Sequence, residues 1–141
     1  MIARENPFRS ERVLAVRYRL PEAGRAALLD RFEAEAAAAL PNEHAAWAVW
    51  NEQDKRLVYT PVITLEASAG RIQSARPRLA AHEHLAIDMH SHGAGTACFS
   101  ATDDEDDAGE VKLAIVVGQL DVVRRNYAIR LCAMGLFKEM K

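Results

Sequence analysis

The stretch PEAGRAALLDRFEAEAAAAL, residues 21–40, constrains this chain more than any other. Leu28, Phe32, Ala36 and Leu40 recur at steps of four in an Ala-rich, helix-favouring background. Pro21 suits a first helical position, and Pro41 with Asn42 stops the run. Beyond it the chain reads mainly as short strands. AAWAVW at 45–50 is a continuous apolar run bounded by polar residues, the pattern of a strand buried on both faces, with Trp47 and Trp50 as core side chains. Residues 56–65 predict a second strand in which Pro61 must sit at an edge, at a bulge or at a break between two shorter strands, and the turn falls near NEQDK. LAIDM (85–89), KLAIVVGQL (112–120) and NYAIRLCAM (126–134) predict further strands, and VLAVRYRL (13–20) alternates with the period of a half-buried one. A second helix is expected to begin near Ser100. Residues 66–83 have no clean period and read as a long connection.

With 141 residues, half of them apolar and 27% charged, the composition is that of a soluble globular protein. A core of that size needs neither disulfides nor a structural metal, so any metal is functional. Eighteen Lys and Arg against 20 Asp and Glu give a net charge of −2, which argues against a nucleic-acid surface. No apolar stretch reaches the length of a membrane span or a signal peptide. The two cysteines, Cys98 and Cys132, lack metal or redox spacing and fit a reducing cytoplasm.

His90 and His92 lie two apart at the end of a predicted strand, so both imidazoles leave one face and can reach one metal ion. Asp88 shares that face, either hydrogen-bonding a ligand histidine or capping the strand face. Ser100 and Asp103 have the spacing of a helix capping box, an account that leaves the paired histidines unexplained.

The segment HSHGAGTACFSATD resembles the JAMM motif (His-x-His, seven residues, Ser-x-x-Asp) of the JAB1/MPN/Mov34 metalloprotease family, with every signature residue at its spacing. The resemblance implies a single α/β domain of the JAB1/MPN type over residues 1–141, a mixed sheet flanked by helices. It implies that His90, His92 and Asp103 bind Zn²⁺ with a water in the remaining position. Two neutral imidazoles and one carboxylate suit that role, since they leave the ion cationic enough to acidify water; such a set also accepts Fe²⁺ or Mn²⁺. The family pattern calls for an upstream Glu after the first long helix and before a buried strand. Glu43 has that context; Glu52 follows the strand and Glu66 lies in the long connection. By the same resemblance Glu43 moves the proton and Ser100 helps stabilise the oxyanion. The HSHG form, with FSATDDEDD and KLAIVVGQL, is similar to the JAB-type component of the bacterial PRTRC system, whose companions include a ubiquitin-like protein. The implied activity is peptide or isopeptide hydrolysis at the C-terminal tail of a ubiquitin-like or sulfur-carrier protein. The alternatives are a non-catalytic MPN-type scaffold and a hydrolase of small amides.

The chain departs from the family at Gly93, where Pro is common, and at His44, Ala45 and Ala46, where a Cys-Gly or similar small pair is usual. His82 and His84 form a second His-x-His without a following Ser-x-x-Asp; they are expected to flank the cleft or sit on the surface. The acidic run 103–107 is expected to be a solvated first helical turn, with attraction of a basic partner as its functional reading. Cys98 is expected to be a buried thiol beside the site.

Overall fold

The computed structural model describes residues 22–67 and 72–140, and the expected strand at 13–20 lies outside them. Helix α1 (Glu22–Ala38) fills the predicted stretch, followed by β1 (Ala45–Asn51), β2 (Arg56–Pro61), β3 (Ile63–Ala67), β4 (Ile72–Ala75), β5 (Glu83–Ser91), α2 (Ala101–Asp107), β6 (Val111–Gly118), β7 (Asn126–Ala133) and β8 (Leu136–Met140). Six strands form one mixed sheet in the order β2-β1-β5-β6-β7-β8, and β3 pairs with β4 in a separate two-stranded sheet. The class is α/β, as expected.

Pro61 marks a break. β2 ends at Pro61 on the edge of the large sheet, and after Val62 the chain enters the small one. The stretch expected to be a plain connection instead contains β4, whose four residues are too few to display a period. The sequence pattern does not announce the terminal strand β8. Met134 (φ 50°) and Gly135 (φ 90°) form the two-residue turn of a hairpin in which Ala133 pairs with Leu136, a geometry that needs positive φ at both positions.

On one face of the sheet Phe32 and Ala36 of α1 are fully buried against Ala46, Ala48, Met89, Ile115 and Val117, with Leu28, Leu29 and Leu40 at the margin. This is the i+4 stripe read from the sequence, a large ring set on small side chains. Two glutamates fasten the helix sideways: Glu35 accepts a hydrogen bond from the Tyr59 hydroxyl of β2, and Glu33 accepts one from Tyr127 of β7. Arg125 adds a 3.1 Å ion pair to Glu33. Burial and the adjoining carboxylate push the Tyr127 phenol up to about 12.

The other face carries Trp47, Val49 and Leu85, packed with Val62 and Leu79, and the helix α2. Trp47 and Trp50 are core residues, as expected. All neighbouring pairs in the large sheet are antiparallel except β5 and β6. Parallel neighbours cannot be joined by a hairpin, so residues 92–110 cross over the sheet and carry α2 with them.

Candidate metal centre

β5 alternates between the two faces. Ile87 and Met89 pack toward α1, while Asp88 and His90 face the crossover. His92 lies one residue past the strand end, and its N–H donates to the carbonyl of Val117 at 2.9 Å, stitching the loop to β6. Asp103, in the first turn of α2, brings Oδ1 to 3.6 Å from His90 Nε2. One ligand atom each from His90, His92 and Asp103 can be chosen so that all lie within 4.8 Å of one another. Tetrahedral zinc with bonds of ~2.1 Å holds its ligand atoms about 3.4 Å apart, so small side-chain adjustments satisfy the ion and the donor set fits.

The protonation states favour ligation. Burial holds the His90 imidazole below its ordinary value, outweighing the opposing pull of Asp103 and Asp88, so the ring is neutral at pH 7. His92 Nδ1 lies 3.0 Å from the carbonyl oxygen of Thr96. A carbonyl only accepts, so Nδ1 is the donor of this contact and Nε2 is the nitrogen left to face an ion.

Ser100 is the N-cap of α2: its Oγ accepts from the Asp103 N–H at 3.1 Å, and its own N–H donates to Asp103 Oδ2 at 2.7 Å. The capping box and the candidate metal site therefore share one carboxylate, with Oδ2 serving the helix and Oδ1 facing His90. The Ser100 hydroxyl proton remains free to donate outward.

Glu43 sits half-buried between α1 and β1, and strand pairing of Ala45 with His90 brings it to the site. Burial raises its carboxyl above the ordinary range; His92 opposes the rise and Asp103 adds to it. Glu52 is excluded by register, because Asn51 pairs with Glu83 at the far end of β5, seven residues or about 20 Å from His90. There it binds Trp50 Nε1 at 2.7 Å and Lys55 at 2.8 Å. Glu66 lies in β3 of the separate small sheet.

Several expectations are corrected. Of the two places expected for His82 and His84, the cleft is set aside and the surface remains: His84 pairs with Trp50 at that same far end, with His82 beside it, and both are partly exposed. Asp88 binds neither histidine; its Oδ2 accepts from Lys112 Nζ at 2.8 Å. The acidic run is not simply solvated: Asp107 is 5% exposed and, with Asp104, pairs with cations of the sheet, while Glu105 and Asp106 face water. Cys98 is exposed, its Sγ 3.9 Å from His92 Nδ1, and the buried thiol is Cys132, pushed up to about 11 by burial and by Asp107.

The departure at Gly93 has a physical reason. Its φ is +58°, which proline cannot adopt, and an added Cβ would lie 3.1 Å from the carbonyl oxygen of Pro41. Gly118 is constrained by space instead, since a Cβ there would lie 2.4 Å from the Ala97 nitrogen and 2.5 Å from the Gly95 oxygen.

Ser91, between the two histidines, carries no signal in the sequence. It points to the opposite face, is fully buried, and clamps the segment that carries Glu43: its Oγ accepts the His44 N–H at 2.9 Å and its N–H donates to the His44 carbonyl at 2.9 Å. Lys112 and Arg130 also escape sequence reasoning; the available signal was a basic residue in an otherwise apolar strand, opposite a dense acidic run.

A family model for prokaryotic homologues of the JAB domain matches residues 25–130. Among solved structures, the solution structure of protein DSY2949 from Desulfitobacterium hafniense is similar in fold, with a TM-score of 0.56 and 16% identity over 81% of this chain and 86% of that one. A search of curated proteins finds none that matches. With three quarters of its length matched by that family and with its sheet, crossover and His-His-Asp cluster, the chain belongs to the prokaryotic JAB-domain family.

Proposed function

We propose that this protein is a zinc-dependent hydrolase of peptide or isopeptide bonds, acting at the C-terminal tail of a ubiquitin-like or sulfur-carrier protein in the cytoplasm. The observation that carries the reading is the convergence of His90, His92 and Asp103 with a half-buried Glu43 whose carboxyl responds to two of them. A zinc ion held by those three side chains would supply Lewis acidity and an acidified water.

Glu43 is the proton carrier. Its raised pKa brings it nearer the neutral range, where a carboxylate accepts a proton from water and returns it to the leaving amine. Ser100 supplies an O–H to the developing oxyanion while its lone pair continues to cap α2. Thr96, through its carbonyl, keeps the His92 tautomer that ligation requires. A scaffold needs none of these groups, so the complete set favours hydrolysis.

The test is cleavage of a fusion joined through the Gly-Gly tail of a cognate ubiquitin-like protein. Zinc-loaded protein is expected to cut it, chelator to stop it, and the chelated protein to remain folded. Tight binding of the ubiquitin-like protein that survives chelation, with no cleavage by the loaded form, would replace this reading with the scaffold.

A further inference from the structure

Helix α2 poses a physical problem. It has seven residues, ATDDEDD, and no large apolar side chain with which to dock. Isolated helices need about 12–15 residues to be even marginally stable in water. Yet Asp103 must be held in place against His90. The two basic side chains that meet it come from the sheet. Lys112 of β6 is fully buried and binds Asp107 Oδ1 at 2.7 Å, Asp88 Oδ2 at 2.8 Å and Glu110 at 3.4 Å. Arg130 of β7 is 4% exposed; it binds Asp104 at 2.6 Å and Asp107 Oδ2 at 2.9 Å. Its guanidinium carbon also lies 4.0 Å from the Phe99 ring centroid and 4.1 Å from that of Phe137.

We propose that Lys112 and Arg130 are positioning residues for the metal ligand Asp103, an inference that rests on the metal-site reading. Asp104 directly follows the ligand and Asp107 lies one helical turn beyond it, so fixing both sets the rotation and the axial position of α2 together. Lys112 ties Asp107 to Asp88, two residues before His90 on the same strand face. The helix is thus referenced to the strand that bears its fellow ligand. The Arg130 fork, stacked on aromatic rings and split between two carboxylates, resists rotation in a way that a lysine ammonium cannot.

The test is a comparison of parent, Arg130→Lys and Asp104→Asn, using zinc titration, the visible spectrum of the Co²⁺-loaded protein and thermal unfolding. Arg130→Lys keeps the charge but loses the fork, and is expected to bind zinc about tenfold to a hundredfold more weakly. Its Co²⁺ absorption should change in intensity as the site leaves tetrahedral geometry. Asp104→Asn removes one arm at a half-exposed position and should weaken zinc by a smaller factor with the fold retained, which decides the matter if Arg130→Lys fails to fold. Parent-like affinity and spectrum in the folded variants, with or without a lowered melting temperature, would reduce the cations to a structural role and overturn the proposal. A parent that binds no zinc would overturn the metal reading and this proposal with it.

Discussion

Among the described residues, α1 and α2 cover opposite faces of one sheet by opposite means. α1 buries Phe32 and Ala36 on Ala46, Ala48, Met89, Ile115 and Val117, whereas α2 has only carboxylates to offer and meets Lys112 and Arg130. Apolar burial is strong but indifferent to direction; a network of charge-assisted hydrogen bonds specifies distance and angle. A buried ion pair adds little net stability over a well-packed apolar one, so the ionic face is better suited to placement than to strength. The site draws on both sides, with Glu43 following α1 and Asp103 borne by α2.

The largest effect should come where the two sides meet. Glu43→Gln is expected to retain fold and zinc while activity falls about a hundredfold to ten-thousandfold, because the amide cannot accept the proton at neutral pH. Steady-state rates beside a zinc titration check this, with Glu52→Gln unchanged as control. Next is the apolar face: Phe32→Ala should cost about 3–5 kcal/mol in a denaturant titration, without weakening zinc binding in the molecules that remain folded.

Acidity should separate the faces further. Burial alone would raise Asp107, but hydrogen bonds from Lys112 and Arg130, with their charges, hold it below its ordinary 3.8. Burial alone would lower Lys112, but Asp88 and Asp107 hold it above its ordinary 10.5. The stabilisation these pairs contribute is therefore complete between about those two values. It is lost as pH falls through the depressed carboxylate value or rises through the elevated ammonium value. Hydrogen exchange at decreasing pH, corrected for intrinsic rates, should show α2 opening before α1; simultaneous opening would erase the distinction. The smallest effect is expected at Ser91→Ala, which leaves the His44 N–H without its acceptor at a cost of about 1–2 kcal/mol and lowers turnover by shifting Glu43, with zinc affinity preserved.

What was legible in the sequence was local. The i+4 stripe of α1, the doubly buried β1 and the capping box at Ser100 each lie within one element, so residue pattern alone revealed them. His90, His92, Ser100 and Asp103 stood out because the crossover compresses them into one short segment. Under the family pattern, its place relative to helix and strand distinguishes Glu43 from Glu52 and Glu66, and register independently removes Glu52. The misses were long-range or too short. Lys112 and Arg130 meet partners that no spacing rule links to them, and Ser91 meets a backbone group 47 positions earlier, just ahead of β1. β4 and β8 have four and five residues, fewer than a periodicity needs.

The crossover between the two parallel strands has a consequence for engineering. Residues 90–112 hold the three proposed ligands, the capping serine and one anchoring cation in a single uninterrupted segment, so a designer could transplant the proposed metal site as a cassette into another parallel strand pair. Glu43 and Arg130 would stay behind on β1's approach and on β7. Such a graft would carry an affinity without a reaction, and chemistry would return only when a neighbouring strand was built to deliver the carboxylate.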